Sequence, residues 1–157
     1  MHGGEGAPIS IASPVDGFVA DIADVSDPMF AAEVMGPSSA IEPSGCSIIA
    51  PAAGLITLVA RTRHALMMKA DGGVELLIHI GVDTNQLAGE PFGLHVEVGD
   101  RVAAGEILLD VDFGIIRAAE LDPTVIVIIT NPDGLGSVET AAAGPIRAGE
   151  ELMRVLR

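Results

Sequence analysis

Cysteine, tryptophan and tyrosine are almost absent from this chain. Cys46 is the only cysteine among 157 residues, so no disulfide can form within the chain, as is typical of proteins in a reducing cytoplasm. Tryptophan and tyrosine are missing, and there are four phenylalanines. A hydrophobic fraction of 49% is nevertheless enough for one domain, whose core must consist mainly of aliphatic side chains.

Basic side chains and long apolar segments are also scarce. Eight Lys and Arg residues stand against 22 Asp and Glu, a formal charge of −14, which disfavours nucleic acid and anionic membranes and favours a basic protein partner. The longest apolar run, VIVIIT at 125–130, is too short to cross a bilayer, and residues 1–10 lack the features of a secretory signal. We therefore expect a cytoplasmic protein without membrane insertion.

Glycine and proline separate short apolar segments throughout the chain. A proline, two residues, a glycine and an apolar segment occur at 14–19 and again at 51–56, and a second glycine-rich phrase occurs at 99–108 and at 144–152. These weak repeats predict an all-β fold, an antiparallel β-sandwich or barrel-like structure built from repeated hairpins.

Helix signals are few. Residues 114–121 could form about two turns before Pro123, and residues 84–87 one turn capped by Asp83 or Thr84, so we expect one or two very short helices. Residues 1–8 are expected to be a flexible N-terminus, and residues 9–157 a single domain.

Two histidines lie in an apolar run that is interrupted only at residues 71–73, Asp-Gly-Gly. Asp-Gly is typical of a two-residue hairpin turn, which would place His64 and His79 directly opposite each other with Cβ atoms about 4.5–5.5 Å apart. A three-residue loop would shift the register by one residue and point the two rings to opposite faces. We expect the two-residue turn, since it leaves one face of the second strand wholly apolar, at residues 74, 76, 78 and 80.

The residues themselves leave three roles open for such a pair. A neutral imidazole nitrogen is a nucleophile near pH 7, so one ring could accept a phosphoryl group while the other donates a hydrogen bond to its oxygens. The two rings could instead supply half of a zinc site. They could also be structural rings that are hydrogen-bonded to their surroundings.

The segment GVELLIHIGVDT at 73–84 resembles the active-site signature of the glucose-type enzyme IIA domain of the bacterial sugar phosphotransferase system. Residues 13–17, 62–65, 98–102 and 128–131 extend the resemblance over nearly the whole chain, from about Ile9 to Arg157. The resemblance implies an antiparallel β-sandwich that serves as a phosphocarrier with phosphotransferase activity. Because no IIB or IIC segment follows, we expect a free-standing IIA protein.

The resemblance also implies a role for each site residue. The phosphoryl group would be carried on Nε2 of His79, and His64 would contact that group. Thr62 would orient the ring of His64, and the carbonyl of Gly81 would hold Nδ1 of His79. The implied partner-binding rim consists of Asp27, Phe30, Val34, Leu77, Asp83 and Asn85, of which Asn85 departs from the small apolar residue that is usual there.

The implied partners are proteins. The phosphoryl donor would be the phosphocarrier protein HPr, and the acceptor would be a cysteine on the enzyme IIB domain of a IIB/IIC sugar permease. Regulated metabolic enzymes or transporters are further possible partners. No cofactor is implied beyond the transient phosphoryl group on His79, and zinc would bind only if a partner supplied further ligands.

Two alternative functions are weighed against the relay. The first is a regulatory binding module that responds to phosphorylation without serving transport. The second is a biotinyl or lipoyl carrier domain, since Met67-Met68-Lys69-Ala70 faintly resembles the lysine hairpin of that family, but those domains are much shorter. Outside the pair, we interpret His95 as structural and Cys46 as a small buried or turn residue.

Overall fold

Within residues 7–156, which the computed structural model describes, the chain is mostly β-structure. In this described part of the chain, helix is limited to α1 (Pro28–Ala31), α2 (Phe113–Ala118) and two 3-10 segments, Ile22–Asp24 and Thr84–Leu87. The fourteen strands are β1 (Ile9–Ala12), β2 (Gly17–Ala20), β3 (Ser38–Pro43), β4 (Ser47–Ile49), β5 (Gly54–Val59), β6 (Ala65–Ala70), β7 (Glu75–Ile80), β8 (Phe92–Leu94), β9 (Arg101–Val102), β10 (Ile107–Val111), β11 (Val125–Ile129), β12 (Val138–Thr140), β13 (Gly144–Ile146) and β14 (Glu151–Val155).

The strands form three antiparallel sheets around one main core. The largest has eight strands in the order β13-β2-β3-β11-β7-β6-β5-β9, and two three-stranded sheets have the orders β4-β10-β8 and β1-β14-β12. The predicted all-β sandwich is therefore confirmed. The expectation for residues 1–8 falls mostly on residues 1–6, which lie outside the described residues.

Strand β11 explains how the large sheet carries a site on its outer face. All five of its side chains, VIVII, are buried, as a continuous apolar run predicts for a strand that is covered on both faces. Val125, Val127 and Ile129 pack into the main core. Ile126 and Ile128 pack on the opposite face in a smaller cluster with Phe30 of α1, so a short segment of chain covers the outer face beside β7.

The predicted register of the β6–β7 hairpin is wrong by one residue. The amide of Ala70 donates to the carbonyl of Val74 (2.8 Å), and the amide of Gly73 donates to the carbonyl of Ala70 (3.0 Å), which closes a three-residue loop over Asp71, Gly72 and Gly73. Ala65, not His64, consequently lies opposite His79. The physical reason is the second glycine: Gly73, with φ of 96°, completes the loop instead of beginning β7.

The observed register also gives a better apolar face than the predicted one. Leu66, Met68 and Ala70 now share the buried side of the hairpin with Leu76 and Ile78. In the predicted register these three side chains would have faced outward with His79. One glycine thus decides which face of β6 enters the core.

The helix predictions hold in outline. The segment expected at 114–121 is α2, which begins one residue earlier because Asp112 accepts hydrogen bonds from the amides of Gly114 and Ile115. The turn expected at 84–87 is a 3-10 segment. Helix α1, which Asp27 caps, was not predicted. In the described part of the chain, no helix is both long and apolar enough to cross a membrane.

Leu76 provides a test of this packing. It is fully buried on β7, whereas Leu58 on β5 is 46% exposed. We expect Leu76→Ala to lower the free energy of unfolding by about 2–5 kcal/mol, because it leaves a cavity in the main core. Leu58→Ala, which removes the same atoms from a solvated position, should change it by less than about 1 kcal/mol. Urea unfolding measures both, and equal losses would contradict the observed faces of the sheet.

Candidate active site

Two imidazole rings meet on the outer face of the large sheet, although one comes from a strand and the other from a turn. The centroids of the His64 and His79 rings are 5.1 Å apart, and the ring planes are inclined by 77°. His79 lies within β7 on the face that also carries Glu75 and Leu77. His64 precedes the first residue of β6 and follows Arg63, whose φ is 60°. Since His64 is outside the strand, its side chain does not follow strand alternation, and the rings meet despite the corrected register.

The tautomer of His79 is set by one hydrogen bond. Its Nδ1 lies 2.7 Å from the carbonyl oxygen of Gly81. A carbonyl oxygen can only accept, so Nδ1 must carry the hydrogen, and the neutral ring keeps its lone pair on Nε2. The nitrogen that is free to react is therefore Nε2.

Gly81 is required at this position by its surroundings as well as by its φ of 75°. A Cβ there would lie 2.9 Å from the carbonyl oxygen of Asp122 and would collide with the side chain of Thr84. The carbonyl of Gly81 shares its peptide group with the amide of Val82, which donates to the carbonyl of Asp122 (2.9 Å), and the amide of Gly81 donates to the carbonyl of Thr124 (2.9 Å), so the peptide groups on both sides of Gly81 are held. A larger residue at 81 would therefore displace the group that holds His79.

The His64 ring is held by its neighbour in the turn. Thr62 Oγ1 lies 2.6 Å from His64 Nδ1. A hydroxyl can donate or accept, so this contact allows either tautomer of His64. When the hydroxyl donates to Nδ1, the hydrogen of the neutral ring is on Nε2, and both Nε2 atoms are left available to a ligand.

Burial and charge act in opposite directions on His79. Burial lowers the pKa of His79 below its ordinary value of 6.5, and the neighbouring His64 lowers it further. The bond to Gly81 and the charges of Asp27 and Asp83 raise the pKa of His79 without outweighing the first two causes. Burial also lowers the pKa of His64. Both rings are therefore predominantly neutral at pH 7.

An apolar wall stands beside His79. The ring of Phe30 lies with its centroid 4.8 Å from that of His79, and the half-buried Leu77 packs against the same cluster. Asp27 begins the helix that carries Phe30, and its Oδ1 accepts from the amide of Met29 (2.8 Å). This short helix therefore supplies both a wall and a charge to the site.

Two of the predicted rim residues have exposed side chains. Val34 follows α1 and is 61% exposed, and Asn85 is exposed in the first turn of the 3-10 segment Thr84–Leu87. Among residues 7–156, no hydrogen bond or ring contact joins either side chain to His64 or His79. Asp27, Phe30, Leu77 and Asp83 are thus linked to His79 by contact, packing or charge, whereas a rim role for Val34 and Asn85 stays a prediction.

One contact that supports the site has no signal in the sequence. Ser26 Oγ donates to Asp122 Oδ2 (2.8 Å), across 96 positions of the chain. This bond ties the segment that carries Asp27 and Phe30 to the connection before β11. Burial raises the pKa of Asp122, but hydrogen bonds from Thr124 and Ser26 outweigh it, so the net pKa is lowered and the carboxylate remains an acceptor.

His95 and Cys46 lie outside the histidine pair. His95 Nε2 and Asp110 Oδ2 are 2.7 Å apart on the surface. Cys46 is exposed in a turn, so the turn interpretation is confirmed and burial is not. Within residues 7–156, no group of three or more His, Cys, Asp or Glu side chains is placed to hold a metal ion.

Comparisons with known proteins agree on one family. Residues 9–135 match the sequence model described as phosphoenolpyruvate-dependent sugar phosphotransferase system, EIIA 1. The chain is 42% identical over 140 residues to the PTS system glucose-specific EIIA component of Halalkalibacterium halodurans, covering 89% of this chain and 81% of the relative. It is 38% identical over 143 residues to the PTS system glucose-specific EIICBA component of Streptococcus pneumoniae, covering 91% of this chain but 20% of that longer protein.

A solved structure shows the same architecture. Glucose permease IIA from Mycoplasma capricolum superimposes with a TM-score of 0.85 at 27% sequence identity, and the match covers 95% of this chain and 96% of that one.

The pKa of His79 should respond in opposite directions to two substitutions. His64→Ala removes a ring that becomes positively charged when it is protonated and should raise the pKa of His79, whereas Asp27→Asn removes a negative charge and should lower it. NMR titration of the histidine rings between roughly pH 5 and pH 8 measures both. Asp24→Asn, on the exposed 3-10 segment Ile22–Asp24, is the matched control. Equal shifts for Asp24→Asn and Asp27→Asn would contradict a local effect of Asp27.

Proposed function

Since the chain belongs to the EIIA 1 family of the phosphoenolpyruvate-dependent sugar phosphotransferase system, we propose that it carries a phosphoryl group on His79 during sugar uptake. The observation that carries the proposal is the bond between His79 Nδ1 and the carbonyl of Gly81, which leaves Nε2 of this half-buried ring as the nucleophile. The donor is phospho-HPr, and the acceptor is a cysteine on an enzyme IIB domain.

The inward step is a displacement at phosphorus. The Nε2 lone pair of His79 forms a nitrogen–phosphorus bond while the bond to the donor histidine breaks, and the donor nitrogen leaves with its electron pair. No proton has to move on His79, because its hydrogen is already on Nδ1. The ring gains positive charge as the bond forms, and the Gly81 carbonyl together with the charge of Asp27 offsets that gain.

His64 serves the phosphoryl oxygens. When the Thr62 hydroxyl donates to Nδ1, the neutral His64 ring carries its hydrogen on Nε2, and this N–H can donate to the transferred phosphoryl group. Such a donor is needed because Asp27 and Asp83 stabilise the ring but repel the phosphoryl oxygens. The site therefore relies on positioned donors rather than on a strong base.

The outward step reverses the roles of the groups. A thiolate of the IIB domain forms a sulfur–phosphorus bond, the bond to Nε2 breaks, and His79 leaves as the neutral ring whose form burial favours. The apolar wall of Phe30 limits attack by water between the two steps. The balance of charge and burial thus stabilises phosphorylated His79 enough for it to form, but not so much that it fails to pass the phosphoryl group on.

The partner surface is proposed around the pair. We assign Phe30, Leu77 and the exposed Val34 to its apolar part, and Asp27, Asp83 and Asn85 to its polar part. The relative from Streptococcus pneumoniae is named an EIICBA component, which supports a partner of the EIIB and EIIC type. The net charge of −14 favours a basic donor surface, and a phosphocarrier of this kind acts in the cytoplasm.

The alternatives gain no support from the site. Lys69 is exposed on β6 opposite Glu75, not at the tip of the hairpin loop 71–73, where a biotinyl or lipoyl carrier would present its lysine. No observation favours a regulatory module over the relay. A zinc ion would find two imidazole ligands here and would need the remainder from a partner.

Replacing the histidines tests the assignment. Incubated with enzyme I, HPr and phosphoenolpyruvate, the chain should form an acid-labile, base-stable adduct. His79→Ala should abolish labelling, because the nucleophile is lost, whereas His64→Ala should be labelled but should pass the group to a IIB domain at least about 100-fold more slowly. The matched control is His95→Ala, since His95 bonds Asp110 on the surface.

Labelling that survives in His79→Ala would refute the assignment of the nucleophile. Rapid transfer from His64→Ala to the IIB domain would remove the role given to His64. Slow transfer in His95→Ala as well would mean that the loss is not specific to the pair.

A further inference from the structure

One arginine links the two loops that orient the two rings. Arg63 Nη2 donates to the carbonyl oxygen of Gly89 at 3.3 Å. A Cβ at Gly89 would lie 2.7 Å from Nη2 and 3.2 Å from Nε, so the guanidinium packs directly against the buried backbone of Gly89. Gly89 ends the segment that starts at Gly81, and Arg63 lies between Thr62 and His64.

The backbone of Arg63 adopts a conformation that arginine rarely adopts. Its φ is 60°, in the left-handed region that glycine and asparagine adopt most easily. The turn needs this conformation, because the amide of Arg63 donates to the carbonyl of Ala60 (2.8 Å) and the amide of Ala60 to that of Ala65 (2.9 Å). A long side chain at a strained position points to a role for that side chain.

The sheet does not hold the tip of this turn. The last hydrogen bond across to β7 joins the amide of Ile80 to the carbonyl of His64 (2.7 Å). Thr62, whose hydroxyl holds the His64 ring at 2.6 Å, lies beyond that bond. Within residues 7–156, one side-chain hydrogen bond joins residues 61–63 to the segment 81–89, and Arg63 makes it.

We propose that Arg63 is a positioning residue for phosphoryl transfer. Its guanidinium holds the turn of Thr62 and His64 against the segment of Gly81, so that the two Nε2 atoms keep a fixed separation while partners dock. Arg63 does not itself contact the phosphoryl group. The inference rests on the proposed function, since it assigns a role within the same site.

Arg63→Gly removes the side chain and tolerates the left-handed backbone, so the turn can still form. We expect His79 to be labelled to the same final extent as in the wild type, but transfer to the IIB domain to slow by about ten-fold, because the donor on His64 is misplaced. Arg61→Gly is the matched control: it removes the same charge and adds a glycine in the same turn. Arg61 is exposed and makes no hydrogen bond or ion pair in the described part of the chain, so its variant should transfer at close to the wild-type rate.

A spectroscopic measurement separates this inference from the proposed function. Long-range proton–nitrogen NMR of the unphosphorylated protein reports which ring nitrogen carries hydrogen. In Arg63→Gly we expect the His64 nitrogen shifts to move toward a mixture of tautomers, while those of His79, held by Gly81, stay unchanged. If no variant and no wild-type protein accepts a phosphoryl group, the proposed function fails, and this experiment still decides whether Arg63 positions His64.

A double-mutant cycle tests the contact itself. Gly89→Ala places a methyl group against the guanidinium and should slow transfer to a similar degree as Arg63→Gly. In the double variant the collision is gone, while the cost of a side chain at the φ of 83° of Gly89 is the same in both backgrounds and cancels. The combined loss should therefore be smaller than the product of the two single losses.

Three outcomes would overturn the proposal. The first is wild-type transfer and unchanged His64 shifts in Arg63→Gly. The second is an equal loss in Arg61→Gly, which would assign the effect to charge or to turn flexibility. The third is strict multiplication of the two single losses in the double variant.

Discussion

The hydrogen bond from His79 Nδ1 to the carbonyl of Gly81, at 2.7 Å, is the constraint on which the site depends. A carbonyl cannot donate, so this contact settles which nitrogen is protonated and which is nucleophilic. The surroundings are built to keep that carbonyl in place. Gly81 adopts a φ of 75° where no side chain would fit, and the peptide group of its carbonyl is held by the bond from the Val82 amide to the carbonyl of Asp122. The identity of a single backbone position thus determines the chemistry of the ring two residues earlier.

Around this bond, burial and charge balance each other. Burial and His64 lower the pKa of His79 and keep the ring neutral, while Asp27 and Asp83 would make a positive charge on a phosphorylated ring less costly in the proposed relay. Phe30 excludes water on one side of the ring. The contact between Ser26 and Asp122 holds the helix that delivers both Phe30 and Asp27, so the charge and the wall are positioned together. In the proposed relay, a chain with a net charge of −14 receives a further anion, and His64 is the local donor that we assign to it.

The parts of the structure that could be predicted from the sequence are those with a local cause. The short apolar segments between glycines and prolines predicted the all-β fold, because short-range patterns decide it. The hairpin register was missed by one residue, since Asp-Gly-Gly supports a two-residue turn or a three-residue loop and only the conformation of Gly73 chooses between them. His64 reaches His79 only because it lies outside β6. The alternation of side chains along a strand cannot predict the direction of a residue in the preceding turn. The links made by Arg63 and Ser26 join distant loops, and nothing in the spacing of the sequence marks them.

The central claim is that His79 carries the phosphoryl group on Nε2 while Nδ1 keeps its hydrogen. Phosphorus–nitrogen coupling in the phosphorylated protein, labelled with nitrogen-15 in its histidine rings, tests this claim most directly. The account predicts that phosphorus couples to Nε2 of His79 and that Nδ1 of the same ring still carries a proton protected by Gly81. Coupling to Nδ1 of His79, or to either nitrogen of His64, would contradict it.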